Sequence, residues 1–244
     1  MNPFYPIFKR EFFGYFRSPI AYVFIVIFLI ASLGCPFFLG GFYESNNASL
    51  QPFFGYLPSL YLVLVPAVGM RLWAEERRSG AVELLFTLPV TTTQAVVAKF
   101  CAGWAFLGVA LFLTFPIALT VNYLGAPDNG VIMGGYLGSF LMAGTYLSIT
   151  CFTSALTKSQ VIAFILSALA GFVLVLLGWG VFTEMLARVL PFWLVDFISL
   201  IGFVPHFGPL SRGLVDTRDL LYFASIIAVA LTLNGYVIGK RKTA

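Results

Sequence analysis

Charge is scarce in this chain. Only 10% of its 244 residues are Asp, Glu, Lys or Arg and 60% are hydrophobic, against about 25% and about 45–50% in a soluble globular protein. A soluble fold of this length cannot hide that much apolar surface, and a disordered chain needs more polarity to stay solvated. Histidine occurs once, at His206, and no H-E-x-x-H is present, so a metallohydrolase lacks ligands. A serine hydrolase would have His206 as its only imidazole base. The setting of that residue between Pro205 and Phe207 reads instead as a loop or gate-edge histidine. The three cysteines, Cys35, Cys101 and Cys151, are odd in number and lie inside apolar runs without zinc spacing. They read as small buried hydrophobes and give no disulfide framework. No glycine-rich phosphate loop occurs: the Gly239-Lys240-Arg241-Lys242-Thr243 tail lacks the strand and turn such a loop needs. It reads as an anchor for acidic headgroups, not as a nucleic-acid site. No charged residue falls in mid-span, which argues against an ion-coupled carrier.

What remains is an all-α polytopic membrane protein read as one domain over 1–244. About 20 apolar residues are needed to span a bilayer, and six segments qualify: 20–40, 53–73, 95–124, 131–156, 161–182 and 220–238. The charged N-terminal stretch before the first run argues against a cleavable leader. With both termini inside, the inner face holds 11 of the 14 basic residues and 4 acids, a net +7. The outer face holds three basic residues and six acids, a net −3, and the two recover the overall +4. The positive-inside rule therefore predicts cytoplasmic termini.

Residues 1–17 are too polar to span. Phe4, Tyr5, Phe8, Phe12, Tyr15 and Phe16 fall in one helical arc, and Lys9, Arg10, Gly14 and Arg17 lie mainly opposite, with Ile7 and Phe13 as exceptions. The pattern predicts an interfacial amphipathic helix carried by Phe8, Lys9, Arg10, Phe12 and Arg17; a loose aromatic tail is the alternative. The outer segment 183–219 is long and still apolar, punctuated by charge and proline. A structureless loop of that length is unusual, so short helices re-entering the outer face before the last span are expected. Gly134-x-x-x-Gly138 allows close helix approach, within the chain or between copies.

The inner loop 74–93 holds the densest charge. Ala81, Leu84, Leu85 and Leu88 sit at i, i+3, i+4 and i+7, and Pro89 stops the pattern. From the residues alone this is either a mechanical coupling element or a solvated turn that orients the spans. Thr91 with Gln94 forms a capping box before the third span, and Thr157 with Gln160 repeats the pattern before the fifth.

The run Glu76-Arg77-x-x-Gly80-x-x-Glu83-x-Leu85-x-x-x-Pro89-Val90, between the second and third of six spans, resembles the permease subunit of type 2 ABC transporters. Phe53-Phe54, Pro66-Ala67-Val68-x-Met70-Arg71, His206-Phe207 and Arg212-Gly213-Leu214-Val215-Asp216-Thr217-Arg218-Asp219-Leu220-Leu221-Tyr222-Phe223 look closest to the gliding-motility-associated branch. The family often carries Thr after the loop glycine, where this chain has Ala81. The resemblance implies a permease that pairs with a second copy, a sister permease or an auxiliary membrane subunit. It would dock on a pair of cytoplasmic ABC ATPase subunits, which would hold the ATP and Mg; this chain would bind no cofactor and catalyse nothing. Glu75, Glu76, Arg77, Arg78, Gly80, Glu83, Leu84, Leu85 and Pro89 would make the ATPase contact. Glu184, Arg188, Pro191, Asp196, His206, Arg212, Gly213 and Asp216 would form an outer gate. The implied place is a bacterial inner membrane and the implied direction leans to export. A non-translocating anchor of a larger envelope or motility machine would use the same loop.

Overall fold

The computed structural model describes residues 4–38, 49–81 and 90–242. Among the described residues there are twelve helices and no strand. In chain order they are α1 (Phe4–Phe16), α2 (Pro19–Phe38), α3 (Gln51–Gly69), α4 (Arg71–Ser79), α5 (Thr92–Phe112) and α6 (Pro116–Leu124). Then come α7 (Asn129–Leu156), α8 (Gln160–Leu177), α9 (Gly180–Ala187), α10 (Phe192–Ser199), α11 (Val204–Ser211) and α12 (Thr217–Lys242). Six helical runs are long and apolar enough to cross a membrane: Pro19–Phe38, Gln51–Ser79, Thr92–Leu124, Asn129–Leu156, Gln160–Leu177 and Thr217–Lys240. The protein is an all-α polytopic membrane protein. Below, the near end of the bundle is the one holding α1, α4 and the close of α12.

Several expected boundaries shift for identifiable reasons. Helix continues past Trp73 to Ser79, so the first part of the expected loop 74–93 is α4. The expected span 95–124 is broken at Leu113–Phe115, where Pro116 opens α6 without an N–H to give. The expected span 161–182 stops at Leu177. There Gly202 lies so close to Gly178 that a Cβ on Gly202 would fall 2.3 Å from the Gly178 nitrogen. Phe203 N–H also donates to Leu174 O at 3.1 Å, so the segment expected on the outer face starts at Gly178, not at 183, and folds back on the end of α8. The last span begins earlier than 220, at Thr217, because Asp216 accepts from the Arg218 N–H at 2.9 Å and starts the helix. Before α8 the cap is Ser159, not Thr157: Ser159 Oγ accepts from the Ile162 N–H, and Thr157 only braces the Ser159 N–H. The box of Thr91 and Gln94 forms as drawn from the sequence.

Helix α7 is the axis. Lipid gives little hydrophobic drive between helices, so close fit must hold them, and α7 supplies notches for its neighbours. Gly135 takes the Phe54 ring of α3, where a Cβ would meet ring carbons at 2.3 Å. Gly134 lies against Gly213, whose φ of +80° favours glycine. Gly138 takes Leu210 and Phe207 of α11. The Gly134-x-x-x-Gly138 pair is thus occupied within the chain. The α7 hydroxyls of Ser139, Thr145, Ser148, Thr150 and Thr153 bond carbonyls of their own helix. Ser154 does not, and it leads to the site.

Ring contacts run through the bundle from end to end. Tyr15 stacks on Phe106 at 4.8 Å, and Phe106, Phe24, Phe28, Tyr61, Tyr146, Phe203 and Phe223 follow at centroid spacings of 4.8–6.4 Å. These distances lie in the favourable range for aromatic pairs, about 4.5–7 Å.

Candidate functional site

At the near end, α4 is held by groups from four other segments. Its first N–H groups have no acceptor within α4. Ser154, at the end of α7, supplies one: its Oγ accepts from the N–H of Trp73 at 3.1 Å and of Ala74 at 3.0 Å, and donates to Met70 O at 2.8 Å. Arg71 reaches back to Glu75 at 2.9 Å and to Ser18, between α1 and α2, at 3.4 Å. Arg77 donates to the Ala155 carbonyl of α7. Gly80, in the left-handed region at φ +75°, ends the helix.

The centre of this end is Lys99. The α5 cap at Thr91 places it two turns into the helix, and it is 1% exposed. Its ammonium lies 2.7 Å from Glu76 of α4, 3.2 Å from Glu11 of α1 and 3.3 Å from Leu72 O. Three donors meet three acceptors. The Nζ also lies 5.1 Å from the Trp73 ring centroid. Arg10 completes the group at 2.7 Å from Glu11 and 3.7 Å from Glu76. Two bases and two acids neutralise one another and pin α1, α4 and α5 together. A buried charge held this way has its desolvation offset only while every partner stays.

Burial pushes the Glu11 carboxyl up, but Lys99 and Arg10 outweigh it and hold the group below its ordinary value of 4.5. The hydrogen bond to Glu11 raises the Arg10 guanidinium against the opposing effect of burial. Burial also raises the Tyr15 phenol. A carboxyl depressed on folding stabilises the folded state above its unfolded value, and that stability is lost as pH falls through the lower folded one. Acid titration of the folded protein is therefore expected to loosen α1 below about pH 4.5. Glu11→Gln should flatten that limb of the stability-against-pH curve; an unchanged limb would assign the acid sensitivity elsewhere.

The expected coupling residues divide. Glu76 and Arg77 turn inward to Lys99 and α7, and Glu75 pairs with Arg71. Arg78 and Gly80 are exposed. Glu83, Leu84, Leu85 and Pro89 lie outside the described residues. In α1, Phe8 and Phe12 belong to a ladder from Phe4 to Phe16 with spacings of 6.2, 5.8 and 5.2 Å. Lys9 and Arg17 are exposed. Ile7, set apart as an exception on the wheel, is buried, and Tyr5 of the apolar arc lies on the protein surface. The reason is that α1 packs on α5 through a face centred on Ile7, Glu11 and Tyr15, and an acid at that face looks polar in sequence.

At the far end the expected gate residues do not converge. Glu184, Arg188, Pro191, Asp196, Arg212 and Asp216 are exposed, and Gly213 serves the contact with α7. His206 alone among them enters a part-buried polar cluster. Its Nδ1 lies 2.7 Å from Asp219 Oδ1, its Nε2 3.0 Å from Leu200 O, and its ring stacks on Tyr222 at 3.8 Å. A carbonyl only accepts, so Nε2 is the donor to Leu200 O, and Nδ1 is the nitrogen left to meet Asp219. The cluster ties the α10–α11 bend of 62° to the start of α12.

Lys99, Glu11, Ser154, Asp219 and Asn234 are the residues that sequence reasoning did not single out for the site. Asn234 of α12 is fully buried and donates to Cys151 Sγ at 3.0 Å. A lone acid in a basic helix and a lone amide in the last span were the available signals. Among the described residues, no three His, Cys, Asp or Glu side chains gather as metal ligands.

Residues 5–238 match the family described as ABC-2 family transporter protein. No curated protein matches the chain.

Proposed function

The chain belongs to the ABC-2 family of transporter proteins, a membrane component rather than the ATPase, and from that premise we propose that it is the permease subunit that couples ATP hydrolysis by a partner to substrate movement. The observation that carries this reading is the knitting of α4. Any load applied beyond Gly80 passes through Arg77, Glu76 and Ser154 into α7, α5 and α1. A short, charged helix locked to three neighbours acts as a lever, because packed helices shift between discrete arrangements and do not deform smoothly.

In this reading the near end is cytoplasmic and the protein sits in a bacterial inner membrane with both termini inside. The segment Glu75 to Pro89 seats on the ATPase, with Glu83 at the contact. Two permeases, as a homodimer or with a sister chain, complete the path, and ATP with Mg stays on the ATPase pair. The far-end segment from Glu184 to Asp216 forms an external gate, and movement runs outward. The motif resemblance to the gliding-motility-associated branch supports a relative of that group.

The test is capture of the ATPase subunit co-expressed with the full chain. Glu83→Arg reverses the charge at the proposed contact and is expected to reduce ATPase recovery at least tenfold, with membrane insertion unchanged. Equal recovery by wild type and Glu83→Arg would remove the coupling assignment. A flux assay in vesicles then separates a transporter from a force-transmitting anchor, whose partner ATPase would turn over without moving cargo.

A further inference from the structure

A cavity of about 320 Å³ lies between the α1–α2 turn, the α3–α4 junction and the middle of α5. Its lining has two characters. Glu11, Glu75, Glu76, Arg71 and Lys99 form one wall, and Ala21, Phe24, Val68 and Phe106 form the other. The cavity sits where α2 begins and α3 ends, at the near end of the bundle. It has a lateral exit: Ile20 lines it and is also 56% exposed on the α2 surface. A purely soluble ligand has no need of that exit, whereas a molecule with a polar head and an apolar tail would use it.

The charges specify the head. Three carboxylates and two cations line it, and Arg10, 2.7 Å from Glu11 and 3.7 Å from Glu76, brings the cluster to neutrality, so a head without net charge keeps the balance. Glu76 Oε2 is buried and has no hydrogen-bond partner, and a buried acceptor left unpaired is unfavourable. Arg71 directs Nε to Glu75 and Nη1 to Ser18, and its third nitrogen, Nη2, can meet an anionic oxygen. The complement is a head with a primary ammonium and a phosphate a few bonds apart. A primary ammonium brings three N–H donors to carboxylates; a trimethylammonium brings none, and a head with phosphate alone leaves Glu76 Oε2 unpaired and adds a negative charge to a balanced cluster.

We propose that this cavity holds the headgroup of an ethanolamine phospholipid from the near-end leaflet, with the ammonium at Glu75 and Glu76, the phosphate at Arg71, and one chain leaving past Ile20. The lipid fills the space between the α1–α2 turn and α4, and so stiffens the same junction that Lys99 pins. The inference stands apart from the ATPase reading, since its test needs no partner.

The full chain, delipidated in mild detergent, is titrated with ethanolamine, choline and glycerol phospholipids of identical acyl chains. Native mass spectrometry counts the bound lipid. At least tenfold tighter retention of the ethanolamine lipid is expected, falling tenfold or more in Arg71→Gln and in Glu75→Gln. Lys158→Gln, an exposed basic residue between α7 and α8, should leave retention unchanged. Ala67→Leu, which fills the cavity from α3 without altering charge, should also expel the lipid while a thermal melt shows the fold intact. Soluble glycerophosphoethanolamine should compete only weakly; strong competition would make the site one for a free headgroup and overturn the lipid assignment. Equal retention of the three lipids, or retention untouched by Arg71→Gln, Glu75→Gln and Ala67→Leu, would also overturn it.

Discussion

Replacing Lys99 with Met is expected to destabilise the protein by about 3–5 kcal/mol, the range for removing one partner of a buried ion pair. Methionine matches the length of the lysine stem and keeps the packing beside Trp73, so little of the loss comes from a cavity. The loss comes from charge. Glu76 keeps only Arg10 at 3.7 Å, and Glu11 keeps only Arg10 at 2.7 Å. Denaturant titration in detergent measures the change. The diagnostic step is the second substitution: Lys99→Met with Glu76→Gln removes the stranded carboxylate and should recover part of the loss, because residues in one network are not additive. A loss below about 1 kcal/mol, the scale of exposed pairs, would mean that water reaches the group and that it does not lock α4. If the lever reading is right, the same substitution uncouples ATP hydrolysis from movement in the assembled complex without preventing ATPase capture.

Why the spans were legible and this network was not follows from what each depends on. A spanning helix is a local property: about 20 apolar residues announce it wherever they fold, and Pro19–Phe38 or Asn129–Leu156 needed no partner to be recognised. The capping box at Thr91 and Gln94 is local too. The α4 start is not local, because its cap comes from Ser154, 80 and 81 residues away from the N–H groups it satisfies. Lys99 meets Glu11 across 88 residues. In a one-dimensional count Lys99 is one more inner basic residue, indistinguishable from Lys158, which is exposed. Composition sorts charge by side of the membrane; only packing says which charge is buried. The far-end residues show the converse. Glu184, Arg188 and Asp196 stood out because charge is rare in an apolar stretch, yet they are exposed. Asp219, read as one more outer acid at the start of the last span, is the acid that His206 finds.

That pair carries the second large effect. His206→Ala should destabilise the protein by about 3 kcal/mol, since it strands the buried Asp219 carboxylate and removes the bond to Leu200 O and the stack on Tyr222. Asp219→Asn should be milder, because the amide still fills the site and accepts a hydrogen bond. The double variant should recover part of the alanine loss, with a coupling energy between about 0.5 and 3 kcal/mol. Hydrogen exchange locates the damage: protection should fall first in α10 and α11, which the cluster ties to α12, and hold in α7. Combining His206→Ala with Lys99→Met then asks whether the two ends communicate. They share no partner, so independent sites should add within about 0.5 kcal/mol. The ring contacts from Phe106 through Phe28, Tyr61, Tyr146 and Phe203 to Phe223 are packing contacts. Contacts of that kind relax locally when one end loosens, so additivity is the expected result. A departure beyond that margin would show the column moving as one body between the ends, which spatial continuity alone does not establish.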